Sequence, residues 1–144
     1  MKFTTIGFAQ KSLRTFVLAL QQHNVTRVVD TRLQNTSQLS GFAKKEDLAY
    51  ILEMLGIEYW HDLELAPTEP LMKAIKGKEI SWQEFARTFT DLLAQRRIET
   101  RLGQIAGDGV PCFLCSEAKP HQCHRKLVVE YLREFDQRIE IVHV

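Results

Sequence analysis

Pro111-Cys112-Phe113-Leu114-Cys115-Ser116-Glu117-Ala118-Lys119-Pro120-His121-Gln122-Cys123-His124-Arg125 decides how the rest of the chain is read. It opens with five residues that suit a buried strand, turns polar, and then enters a stretch in which Leu127, Val128, Tyr131 and Phe135 recur at helical spacing. The segment therefore predicts one strand at Pro111–Cys115, one loop, and one helix from about Cys123 to Phe135. Outward from it the same alternation repeats. Short runs rich in β-branched and aromatic residues predict strands at Phe3–Ile6, Val25–Val29, Ile57–Trp60 and Ile139–Val144. Between them, Leu13, Phe16, Val17 and Leu20 follow a Ser12 N-cap, and Leu48, Ile51, Leu52 and Leu55 precede Gly56. Ser81 and Glu84, in capping-box spacing, open a helix through Phe85, Phe89, Leu92 and Leu93. Alternating strands and helices are the pattern of βαβ units, so the expected fold is a three-layer α/β/α sandwich around a mostly parallel sheet of about five strands. Leu33–Ser40 and Leu65–Lys78, with Pro67, Pro70 and Gly77, are expected to be long loops.

Composition bounds the function without naming it. The 144 residues are 44% hydrophobic and 26% charged, which suits one globular domain spanning 1–144. Nineteen Lys and Arg against 18 Asp and Glu leave a formal charge of +1, which argues against a protein that holds nucleic acid by a global surplus of basic charge. Three cysteines clustered in one stretch make a poor framework for a disulfide-stapled secreted domain. The opening residues lack the apolar core of a signal peptide and no window has the length of a membrane span. The expectation is a cytoplasmic protein with no membrane partner; composition assigns neither cofactor nor oligomeric state.

In open parallel sheets, ligands bind beyond the carboxyl ends of the strands, so polar residues just after each strand are the candidates. Cys112 and Cys115 are three apart and point to opposite faces of a strand, which leaves Cys112 for the core and lets Cys115 meet Cys123 across the loop. At a helix start beside Arg125, Cys123 would have its thiolate favoured by the dipole and the guanidinium. Plain packing of the two sulfurs is the alternative. Zinc is disfavoured because adjacent Cys123 and His124 would both have to turn to one ion while Cys112 points away; no metal is expected. Asp30, Thr31 and Arg32 follow the second strand. Arg32 with Arg125 would suit a phosphate or carboxylate, and Asp30 would serve as a base, accept a hydroxyl, or only hold an arginine. Gly7, His61 and Glu117 stand at corresponding positions, Glu117 within reach of Arg125. Arg96, Arg97 and Arg101 read as a solvated helix end.

These motifs resemble those of a family of bacterial and archaeal proteins, domain-of-unknown-function family 488 (DUF488). The resemblance rests on Thr5-Ile6-Gly7, Val29-Asp30-Thr31-Arg32, Tyr59-Trp60-His61, Leu114-Cys115-Ser116-Glu117 and Cys123-His124-Arg125, and it covers nearly the whole chain. The chain departs from the family pattern where Phe8 and Ala9 replace a His-Ser pair and where Ala66-Pro67 replaces Gly-Gly. The resemblance implies an α/β fold and a shared polar crevice, and brings no established reaction. If the missing His were an acid or base in relatives, activity here would be reduced, altered or absent. Three functions follow as expectations. The first is an enzyme whose crevice binds an anionic, nucleotide-like small molecule through Arg32, Arg125, His124, Gly7 and His61, with Cys115, Cys123, Asp30 and Glu117 as its chemistry. The second is a thiol redox or metal-binding module, and the third a non-catalytic binding domain or nucleic-acid adaptor.

Overall fold

A computed structural model describes residues 1–36, 41–117 and 122–144. The predicted strands form close to their expected places: β1 (Lys2–Gly7), β2 (Arg27–Asp30), β3 (Glu58–His61), β4 (Pro111–Cys115) and β5 (Glu140–His143). They make one sheet in the order β3-β2-β4-β1-β5, parallel at every pairing. β4 lies near the centre and is buried along its whole length, as an apolar run with no polar alternation requires. Its register places Gly7 opposite Cys115, while Asp30 stands opposite both Leu114 and His61. Parallel pairing thus brings residues far apart in sequence to a single carboxyl edge.

The helices are α1 (Leu13–Gln22), α2 (Lys45–Met54), α3 (Glu69–Lys76), α4 (Trp82–Gln95), α5 (Leu102–Ala106) and α6 (His124–Phe135). Ser12 and Ser81 cap α1 and α4 by accepting from the amides of Thr15 and Glu84, as their spacing predicts. α1 and α2 cover one face of the sheet, where Phe16, Leu20, Leu48 and Leu52 pack on Ile6, Val28, Cys112 and Leu114. The other face is covered by α3 to α6, with Phe85, Phe89, Leu93, Val128 and Leu132 against Phe3, Val29 and Phe113. Alternate residues of β4 serve opposite cores, so Cys112 is a core side chain, and burial pushes its thiol up to about 12.

The Leu65–Lys78 segment corrects the sequence expectation: it is not a loop but holds the two-turn helix α3, preceded by a 3-10 turn at Leu63–Leu65. Thr68 caps α3 by accepting from the Leu71 amide, and Pro70 sits in the first turn, where its missing N–H has no helical partner to lose. Of the predicted loop Leu33–Ser40, residues 33–36 carry no helix or strand and 37–40 lie outside the described residues, as do Ala118 to His121. Arg96 and Arg101 are not a solvated helix end either. Arg96 donates to the carbonyls of Glu64 and Ala66, and Arg101 pairs with buried Asp62 at 2.6 Å, fastening the turn before α3 to the end of α4.

The connections after β1 and β2 run across the α1/α2 face toward β3, while those after β3 and β4 return across the opposite face. The chain therefore leaves neighbouring β2 and β4 in opposite directions, and a crevice opens between the loops that follow them.

Candidate functional site

Asp30 ends β2 fully buried and is surrounded by donors. Arg32 grips it with Nε at 2.9 Å and Nη2 at 2.8 Å, its own amide adds a third bond, Tyr59 donates its hydroxyl at 2.6 Å, and Asn35 approaches at 3.4 Å. Burial alone would raise the Asp30 pKa, but the hydrogen bonds and charge of Arg32, with Tyr59, hold it below the ordinary carboxylate value. Of the three roles expected for Asp30, base, hydroxyl acceptor or arginine anchor, the contacts seen are those of an arginine anchor that also accepts the Tyr59 hydroxyl. Tyr59 is driven the other way, its phenol raised by burial and by the carboxylate it touches. Arg32 stacks its guanidinium on Phe8 at 5.1 Å. Arg32 is 4% exposed, yet Nη1 has no hydrogen-bond partner among the described residues.

Cys115 and Cys123 meet. The structure brings their sulfurs to bonding distance with Cα atoms 7.4 Å apart, longer than the roughly 4.4–6.8 Å that such a bridge usually spans. Cys123 occupies the N-cap of α6, where a serine or aspartate would normally accept from the helix amides; its side chain makes no such bond. Arg125 lies two residues on, in the first turn of α6, and is fully buried. Its Nη1 donates to Cys115 Sγ at 3.2 Å and to the Glu117 carbonyl at 2.6 Å, while Nε and Nη2 have no hydrogen-bond partner among the described residues. No salt bridge to a carboxylate is formed by this guanidinium among the described residues. Burial pulls it down to about 10, so it stays charged at neutral pH, and its charge together with burial also lowers nearby Lys11. A buried cation without an anion is costly, by several kcal/mol in the general case. The sequence placed the guanidinium beside Cys123; it is on Cys115.

Two adjoining cavities flank the bridge. One, of about 240 Å³, is lined by Cys115, Cys123, Ser116, Glu117 and Gln122 with Met72, Ile75, Trp82 and Phe85 as an apolar wall. The other, of about 320 Å³, lies toward Arg32, Leu33 and Gln34 and is closed by Glu69, Met72, Lys73 and Lys76 of α3. Ser116, His124, Met72 and Lys76 border both. His124 Nε2 lies 2.8 Å from the Thr31 carbonyl, which only accepts, so Nε2 carries the proton and Nδ1 the lone pair. Burial pulls this imidazole down to about 4, and it is neutral at physiological pH.

The remaining candidates have structural duties. His61, expected among the ligand residues, has its Nε2 donating to the Arg32 carbonyl at 2.9 Å and lines neither of these two cavities. Gly7 is required by its neighbours rather than by a ligand: a Cβ there would overlap the Glu117 carbonyl and come within 2.6 Å of Arg125 Nη1. Glu117 uses its carbonyl, not its carboxylate, on Arg125, and its exposed side chain lines the smaller cavity. Arg32 and Arg125 form no joint two-arginine fork, since Arg32 is committed to Asp30 and Arg125 lines neither cavity. Sequence reasoning missed Lys73 and Lys76, because it had α3 as a loop. Their place in the last turn of a helix that begins at Thr68-Glu69-Pro70 was the available signal. No group of three or more metal-binding side chains occurs among the described residues.

A family model described as domain of unknown function DUF488 matches residues 12–132, most of the chain, and the chain belongs to that family. No curated protein and no solved structure matches it.

Proposed function

We propose that this DUF488 protein is a thiol–disulfide exchange protein in which Cys115 is the attacking sulfur and Cys123 the resolving one. The observation that carries the proposal is Arg125. In the bridged state its buried guanidinium has no salt-bridge partner among the described residues, and reduction supplies an anion, a Cys115 thiolate, at hydrogen-bonding distance from Nη1. A cation placed there lowers the thiol pKa and favours the dithiol form, as in catalytic rather than structural pairs.

The reaction balances with an external disulfide, RSSR, as oxidant. The Cys115 thiolate attacks one sulfur of RSSR, the S–S bond breaks, and RS⁻ leaves to take a proton from solvent. Cys123, deprotonated at the α6 N-terminus, then attacks Cys115 Sγ, the mixed S–S bond breaks, and the second RS⁻ departs. Two electrons pass from the dithiol to RSSR, which ends as two thiols. The run in reverse reduces the bridge.

Trapping tests the proposal. Reduced Cys123→Ser protein exposed to bis(2-hydroxyethyl) disulfide is expected to hold one mixed disulfide on Cys115, seen by mass. Reduced Cys115→Ser protein is expected to form none at a comparable rate. Equal and slow labelling of both variants would overturn it.

A further inference from the structure

Resting on that function, we infer that the larger cavity seats a carboxylate of a small anionic disulfide or thiol, which makes low-molecular-weight anionic thiols the exchange partner. The smaller cavity brings the bridge to an apolar wall, and the larger one continues from it through His124, Ser116 and Lys76. At about 240 and 320 Å³ the pair has the scale of a small-molecule site, which generally begins near 300 Å³. The larger cavity is lined by Arg32, only 4% exposed, whose Nη1 has no hydrogen-bond partner among the described residues. An arginine committed to Asp30 by Nε and Nη2 has one further nitrogen to offer, and a carboxylate is the planar acceptor that suits it. Lys76 adds a further cation from α3, beside Lys73, which is paired with Glu69.

The opposing charges do not cancel this set. Asp30 lies behind Arg32 and is saturated by its donors; Glu69 is held by Lys73 at 3.3 Å; Glu117 is exposed and lines only the cavity that holds the bridge. Lys76 is therefore the cation bordering both spaces with no salt-bridge partner among the described residues, set between the sulfurs and Arg32. A disulfide whose sulfur reaches Cys115 would extend its acid group past Lys76 toward Arg32.

Three disulfides of matched length separate charge from intrinsic reactivity: 3,3′-dithiodipropionate, bis(2-hydroxyethyl) disulfide and cystamine. The reduced protein is oxidised by each at low ionic strength, and each rate is divided by that of 2-mercaptoethanol with the same reagent. The normalised rates are expected to fall in that order, by about tenfold from the first to the last, with added salt compressing the range. In Lys73→Gln/Lys76→Gln, two exposed positions, the ratio of the dithiodipropionate rate to the neutral-reagent rate is expected to collapse toward one. Equal normalised rates, or an advantage that survives the double substitution, would overturn the inference and leave the thiol function standing. Failure of all three reagents to react faster than with free thiol would overturn both.

Discussion

Arg125 is the residue on which the chemistry turns. Its burial against a sulfur and a peptide carbonyl contradicts the habit of buried arginines to pair with carboxylates. Replacement by methionine removes the charge while keeping an unbranched side chain of similar length. Arg125→Met is expected to hold or raise the denaturant stability of the bridged protein, because an uncompensated buried charge is gone. It is also expected to lower the reduction potential of the Cys115–Cys123 couple by about 30 mV or more, equivalent to about 1.4 kcal/mol for two electrons. Arg125→Lys, which keeps the charge, is expected to shift it less. Redox titration of the three proteins checks this, and a potential unmoved by methionine would show that the guanidinium only packs. The spacing of Cys115, Cys123 and Arg125 displayed the candidates in sequence. It did not display which sulfur the arginine faces, because a side chain in the first turn of a helix points where docking of that helix sends it.

Among elements, β1, β4 and α6 set the geometry together. Gly7 ends β1 so close to the Glu117 carbonyl and Arg125 that no side chain fits. Gly7→Ala is expected to push the loop after β4 away, part Arg125 from Cys115, and destabilise the fold by about 1–3 kcal/mol, the usual scale for overpacking. Slower mixed-disulfide formation in the Cys123→Ser background would accompany the loss; an unchanged rate would disconnect the glycine from the site. The strands and the longer helices were legible because each carries an unbroken period or an apolar run with a cap. α3 was not, since eight residues with one proline just before them and another in the first turn give too few turns for a period to declare itself, and tertiary fastening by Arg96 and Arg101 decides its place. Missing α3 also hid the cations it contributes.

Across the whole molecule, His124 ties site protonation to global stability. It is buried and neutral, its pKa depressed from 6.5 to about 4, mainly by burial. Between those values the unfolded chain binds a proton that the folded one does not, so stability is full above about pH 6.5 and falls as pH drops toward 4. His124→Gln retains a donor to Thr31 and is expected to flatten urea stability over that window; an identical slope in the variant would place the acid sensitivity elsewhere. The order β3-β2-β4-β1-β5 explains why this histidine, Arg32 and the sulfurs share one edge. Alternation of strands and helices foretold that such an edge exists, and a long-range register that no local pattern encodes decided which residues meet on it.

The most direct test of the central claim is the potential of the Cys115–Cys123 couple, obtained by equilibrating the protein in glutathione redox buffers, alkylating the thiols and weighing the products. A reversible two-electron transition between about −270 and −120 mV, the span of catalytic dithiols, with Cys112 a free thiol at every potential, is the predicted result. A bridge that stays closed to below about −300 mV, or sulfurs that never join, would contradict it.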